Sequence, residues 1–190
     1  MNTLNNFDEI MSTSSEIFKI KLSDYGPSWI IFRQSSLTDQ MLIKAKRISM
    51  LEGLNGKQKI SDSREDEYLG IINYALIALM KIRFDDVFEQ IDVFNDTSFD
   101  FSTFMNQRLI VIKEVKELLE KKNHDYGEAW KDMRITSITD QILVKLYRIR
   151  TIEGNDGLLH ISENIDSHLS DIINYCIFAL IKLKGVVSND

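Results

Sequence analysis

Asp24-Tyr25-Gly26-Pro27-Ser28-Trp29 returns 101 residues later as Asp125-Tyr126-Gly127-Glu128-Ala129-Trp130, and this repetition decides the fold. Sliding the chain by 101 aligns residues 24–83 with 125–184 without a gap, and 25 of those 60 positions are identical. Working outward from the turn, the matches include Arg33 with Arg134, Thr38-Asp39-Gln40 with Thr139-Asp140-Gln141, and Lys44 with Lys145. Arg47 answers to Arg148, Glu52-Gly53 to Glu153-Gly154, and Ile71-Ile72-Asn73-Tyr74 to Ile172-Ile173-Asn174-Tyr175. On the other side, Glu16 and Lys21 match Glu117 and Lys122. Self-similarity at a fixed offset over this length is the mark of a tandem duplication.

Each copy reads as three helices. The first, about 7–22 and 103–122, has apolar residues at helical spacing, as in Leu109, Ile112, Val115 and Leu119, and ends at Asp-Tyr-Gly. Glycine can take the left-handed conformation that stops a helix there. The second runs from Ser36-Leu37-Thr38-Asp39 and Ser137-Ile138-Thr139-Asp140, a capping-box-like start, to Gly53 and Gly154. The third, about 63–84 and 163–184, is the most apolar and is expected at the centre. One unit of about 80 residues would bury only a small core. The expectation is therefore an all-α body of two three-helix repeats, 1–84 and 101–190, packed about an internal pseudo-twofold and joined by an acidic connector, 85–100.

Composition narrows the function classes. The chain has 190 residues, 44% of them apolar and 27% charged, with one proline and one cysteine. That is a globular composition, and a lone Cys176 can form neither an internal disulfide nor a cysteine zinc site. No apolar run approaches the roughly 18 residues that span a bilayer, and the first residues lack the pattern of a secretory signal, so a cytoplasmic setting is expected. Asp85, Asp86, Glu89, Asp92, Asp96 and Asp100 lie in a stretch without Lys or Arg and account for the net charge of −6. Its Phe84, Phe88, Phe94 and Phe99 would pin the connector to the helices, or form a strip for a partner. A nucleic-acid binder needs clustered positive charge, and no such face is legible here.

Candidate chemistry lies in residues that both copies keep. Gln40, Lys44 and Arg47, like Gln141, Lys145 and Arg148, share one stripe of the second helix. They are either a solvated ion-paired face or the holders of a phosphate or carboxylate. Asn73 and Asn174 sit in apolar helices and need partners, across a helix interface or on a ligand. Glu65 and Asp66 in the first copy, and Asp166 and Asp171 in the second, are candidate Mg²⁺ ligands, because Mg²⁺ accepts one or two carboxylates beside phosphates. Gly70 stands where the second copy has Asp171, so the copies are chemically unequal and the second is the better metal candidate. Asp24, Tyr25, Trp29 and Arg33, with Asp125, Tyr126, Trp130 and Arg134, either anchor a helix-capping turn or flank and read a nucleobase. The apolar run Ile30-Ile31-Phe32, against Lys131-Asp132-Met133, suggests cover by the other copy or by a second chain, hence a homodimer. Glu114, Glu117 and Glu120 alternate with Lys113, Lys116 and Lys121 and read as a surface salt-bridge lattice or a metal edge. His124, His160 and His168 show no ligand spacing.

Lys-x-x-Asp-Tyr-Gly-x-x-Trp, Ser-(Leu/Ile)-Thr-Asp-Gln, Lys-x-x-Arg-Ile-x-x-x-Glu and Ile-Ile-Asn-Tyr together resemble the nucleotide modification associated domain one family, over nearly the whole chain. That resemblance implies a place in nucleotide or modified-nucleotide metabolism and assigns no catalytic residue. A more distant likeness is to the all-α nucleoside triphosphate pyrophosphatases, whose Glu-x-x-Glu and Glu-x-x-Asp pairs bind Mg²⁺. Glu114-x-x-Glu117 and Glu163-x-x-Asp166 imitate those pairs at a wider separation. The expectation is binding of a nucleotide or similar phosphorylated molecule. Lys145, Arg148 and Arg134 would hold phosphates, Tyr126 and Trp130 would flank a base, and Lys44, Arg47 and Arg33 would form the counterpart. Mg²⁺-assisted hydrolysis of a phosphoanhydride is the expected reaction if there is one. The rival is a noncatalytic helical scaffold or interaction protein.

Overall fold

A computed structural model describes residues 2–54, 63–89, 91–93, 100–155 and 164–187. Among these, the chain is helical throughout: α1 (Thr3–Tyr25), α2 (Gln34–Leu54), α3 (Arg64–Arg83), a single turn α4 (Asp85–Phe88), α5 (Phe101–Tyr126), α6 (Ile135–Gly154) and α7 (Ile165–Val187). Short 3-10 turns at Ser28–Ile31 and Ala129–Asp132 follow α1 and α5. Repeat one is α1–α3 and repeat two is α5–α7. None of these helices is long and apolar enough to cross a membrane.

The most apolar helices take the centre. α3 packs along α7 and α2 along α6, with α1 and α5 laid across them. Ile71, Ile72, Ala75 and Leu76 of α3, and Ile172, Ile173, Cys176 and Ile177 of α7, are without solvent exposure. Reciprocal bonds mark the pseudo-twofold. Thr38 of α2 donates to Glu153 of α6, and Thr139 of α6 donates to Glu52 of α2, both at 2.8 Å. Burial raises the pKa of the Glu153 carboxyl, and the Thr38 bond partly opposes that.

These bonds also explain a departure from the expected second helix. α2 and α6 begin at Gln34 and Ile135, ahead of Ser36 and Ser137. The Thr-Asp-Gln segments therefore lie inside the helices, and their threonines reach across the twofold. The capping box is on α3, where Ser63 accepts from the Asp66 backbone and Asp66 accepts from that of Ser63. Thr139 carries one extra partner, the Tyr68 hydroxyl at 2.8 Å, while Leu169 stands at the matching place in repeat two. Thr139→Val is therefore expected to cost about 1–2 kcal/mol in urea unfolding. Thr38→Val should cost less.

The turns after α1 and α5 require positive φ: Gly26 at 61° and Gly127 at 58°. A lysine at the end of the third helix of each repeat closes back on the 3-10 turn that follows the first helix. Lys81 donates to the Ile30 carbonyl at 2.7 Å and Lys182 to the Lys131 carbonyl at 2.5 Å. Burial pulls the Lys81 ammonium below its ordinary pKa, with Asp85 working against it. The run Ile30-Ile31-Phe32 is covered mostly by its own chain: Ile30 and Phe32 pack on the core and Ile31 is exposed. This removes the ground on which a second chain was expected there. In the connector, Phe84 and Phe88 pack on the core, as a pinned tether requires. Phe94, Asp96 and Phe99 lie outside the described residues.

Candidate functional site

Each repeat encloses a cavity between the end of its first helix, the 3-10 turn and the middle of its third helix. The volumes are about 400 Å³ in repeat one and about 390 Å³ in repeat two. That is within the range of small-molecule sites. The duplicated residues line both: Lys21, Tyr25, Trp29, Asn73 and Tyr74 in one, Lys122, Tyr126, Trp130, Asn174 and Tyr175 in the other.

Trp29 and Trp130 form the inner walls. Trp29 meets Phe88 and Phe104 edge-on at 5.1 and 5.6 Å, and Trp130 stacks flat on Phe178 at 4.4 Å. Both indole N–H groups are buried with no hydrogen-bond partner among the described residues. Such an orphaned donor costs stability, and both copies retain one beside a cavity. Tyr25 and Tyr126 stand at the rims, 71% and 73% exposed.

The charged residues are arranged differently in the two copies. In repeat one the buried Glu67 takes Lys44 at 3.0 Å on one oxygen and Arg47 on the other. Lys44 gets there by crossing Gly70, where a Cβ would fall 2.8 Å from its Cε. In repeat two His168 stands in the register of Glu67, and the carboxylate has moved one turn along, to Asp171. Lys145 meets Asp171 at 2.8 Å and Lys122 binds its other oxygen. Burial raises the Asp171 pKa, but the two lysines outweigh it and leave the carboxyl below its ordinary value. Burial and the Asp171 charge together raise the pKa of the Tyr175 phenol.

The sign of the Asp171 shift sets a pH dependence. Its folded-state pKa is lowered, so its contribution is present above the unfolded value near 4 and disappears as pH falls through the folded value. Asp171→Asn is expected to lose about 1.5–3 kcal/mol at pH 7. In parallel urea titrations the gap from the parent should close below about pH 4. A gap that stays constant down to pH 3 would show that the lysines do not stabilise this carboxylate.

The expected residues are thus brought together only in part. Lys145, Asp171, Asn174, Tyr126 and Trp130 cluster at one cavity or in contact with its lining, and Lys44, Asp66, Asn73, Tyr25 and Trp29 line the other. Arg33, Arg134, Asp24, Asp125 and Arg148 are exposed and lie outside both linings. The carboxylates assigned to Mg²⁺ are spread apart in use. Asp66 serves the α3 cap, Asp166 accepts from the Ser167 backbone in the first turn of α7, and Glu65 lies outside both linings. Each Asp171 oxygen faces a lysine, so that centre carries a net positive charge. No three metal-ligating side chains gather among the described residues. This donor set suits an anion better than a divalent cation. Glu114 pairs with Arg83 and Glu117 with Lys113, as a surface lattice would. Glu163 and His160 lie outside the described residues.

Two features escape reading by repeat. Glu67 has no acidic counterpart, so comparing the copies passes over it. Arg108, fully buried, stands where repeat one has Phe7. Its guanidinium donates to the Ser14 hydroxyl and to the Asn73 side-chain oxygen Oδ1, both at 2.7 Å, and lies 4.6 Å from the Phe18 ring. Burial lowers its pKa to about 9. Lys21 and Lys122 were visible as a repeated pair, and only the fold shows them beside the cavities.

No curated protein and no solved structure matches the chain. A family model for nucleotide modification associated domain 1 matches twice, at residues 21–82 and 122–183, with the same offset of 101 that separates the cavities' residues. Each match runs from the cavity lysine, through the turn, to the end of the third helix. The chain belongs to the nucleotide modification associated domain 1 family, two copies of which make up its two repeats.

Proposed function

We propose that the protein binds a nucleotide, or a similar phosphorylated small molecule, in its repeat cavities. The observation that carries this reading is the recurrence of one lining in both repeats, an aromatic wall with a buried indole N–H, an amide and a lysine. The aromatic rings would cover the faces of a base. Lys21 or Lys122 at the mouth would meet the phosphates, with Lys44 or Lys145 behind. Arg33, Arg134 and Arg148 would contribute long-range attraction, which falls with added salt. Asp24 and Asp125 would act only at the rim. The family's nucleotide setting supports the choice of ligand.

Binding, not hydrolysis, is the activity these residues favour. A Mg²⁺ ion would enter already coordinated by the phosphates, with Asp166 or Asp171 contributing at most an outer contact. A thermal-shift panel of nucleoside mono-, di- and triphosphates, with and without Mg²⁺, tests the reading. A rise in Tm that is lost in Lys122→Ala is the expected result. Indifference to every nucleotide would leave a scaffold whose shared polar residues only lock helices. Light scattering on the same samples would report whether two chains associate.

A further inference from the structure

The two cavities share a lining but differ in the state of their asparagine. The Asn73 oxygen is fully committed, accepting from Arg108 and Ser14, and one of its two amide protons goes to the Leu69 carbonyl at 3.1 Å. Asn174, only 4% exposed, has neither its oxygen nor its nitrogen bonded to any described residue. The duplication explains the contrast. Arg108 and Ser14 serve Asn73, whereas the repeat-related positions hold Phe7 and Val115, which offer no hydrogen bond. An amide buried without partners is costly, and this one lines a cavity of ligand size. One turn before it, at i−3, stands Asp171 in the same lining.

We infer that ligand enters the repeat-two cavity alone, and that Asn174 and Asp171 there read a nucleobase carrying an exocyclic amino group next to a ring nitrogen. The inference rests on the nucleotide-binding reading above. A free carboxamide presents one donor and one acceptor and can pair with any base edge that offers the complement. Because the amide can flip, Asn174 alone does not separate an amino base from its oxo analogue. Asp171 does, since an ionised carboxylate only accepts. Each of its oxygens keeps a lone pair besides the one used by a lysine. An amino group has two protons, one for the Asn174 oxygen and one for Asp171, while the ring nitrogen takes the Asn174 N–H. An oxo group in that place would face the carboxylate with no proton between them. In repeat one Gly70 stands in place of Asp171, the Asp66 carboxylate of that lining serves the α3 cap, and the Asn73 oxygen already accepts twice, so the same chemistry is missing there.

Calorimetric titration of the full chain with CMP, UMP, AMP and IMP tests this. One site per chain is expected, with CMP and AMP bound at least tenfold more tightly than UMP and IMP. Asp171→Asn should erase that preference, whereas Asn174→Leu should weaken CMP and AMP at least tenfold while raising Tm by about 2–4 °C, because it removes an unsatisfied buried amide. Ser14→Ala, confined to the Asn73 network, should lower Tm and leave the titration unchanged. Two equal sites, no amino preference, or full binding by Asn174→Leu would overturn the inference and leave nucleotide binding standing. No heat and no Tm shift with any of the four would overturn the nucleotide reading itself.

Discussion

Trp29→Ala is expected to destabilise the protein by about 3–5 kcal/mol, measured as a lowered midpoint at unchanged slope in urea unfolding. Trp29 is 8% exposed and meets rings from three elements: Phe18 of α1, Phe88 of α4 and Phe104 of α5. Its removal would leave a large void and would also detach the connector from the first repeat. Phe88 and Phe104 stack on each other at 5.9 Å and would lose the edge-on ring that fixes them. Trp130→Ala should cost less, because its ring stacks on Phe178 alone among the described aromatics. Trp29→Phe should recover more than half of the loss, since the aromatic contacts survive in smaller form. Equal costs at the two tryptophans would show that the connector's rings add nothing to repeat one.

The same pair of tryptophans shows how far the sequence could be read. The duplication, the three long helices of each repeat and the central place of the most apolar helix followed from identity at a fixed offset and from periodicity, whereas the single turn α4 inside the connector did not. Identity and periodicity are both local properties of the chain. The turn glycines followed because positive φ at Gly26 and Gly127 excludes most other residues. The partners of the repeated polar residues did not follow. Lys44 and Lys145 share one register, yet their carboxylates, Glu67 and Asp171, sit one helical turn apart. A lysine side chain is long enough to reach either place, so its register does not name its partner. Lys81 and Lys182 share a stripe with Asn73 and Asn174, but they extend to carbonyls of the 3-10 turns. Arg108 was hidden for another reason. An arginine on an amphipathic helix ordinarily reads as surface, and it is the packing of α5 against both α1 and α3 that buries this one.

Glu67→Ala is the second large expected loss, about 2–4 kcal/mol at pH 7. Breaking a fully buried ion pair costs about 3–5 kcal/mol. The value here is lower because Lys44 and Arg47 keep 28% and 25% of their side chains exposed and can move toward water. What remains is the repulsion of two cations on one ridge and the void left by a side chain only 5% exposed. Repeat two supplies a designed rescue. Combining Glu67→His with Gly70→Asp copies its arrangement into repeat one, placing the carboxylate between Lys44 and Lys21 as Asp171 sits between Lys145 and Lys122. Lys44 must first withdraw from over Gly70, and its flexible end can do so. The double variant should recover at least half of the loss seen in Glu67→Ala, whereas Glu67→His alone should not. If the single and double variants unfold at the same urea concentration, the two positions are not interchangeable seats for one carboxylate. The repeats would then have diverged in backbone geometry as well as in residue identity.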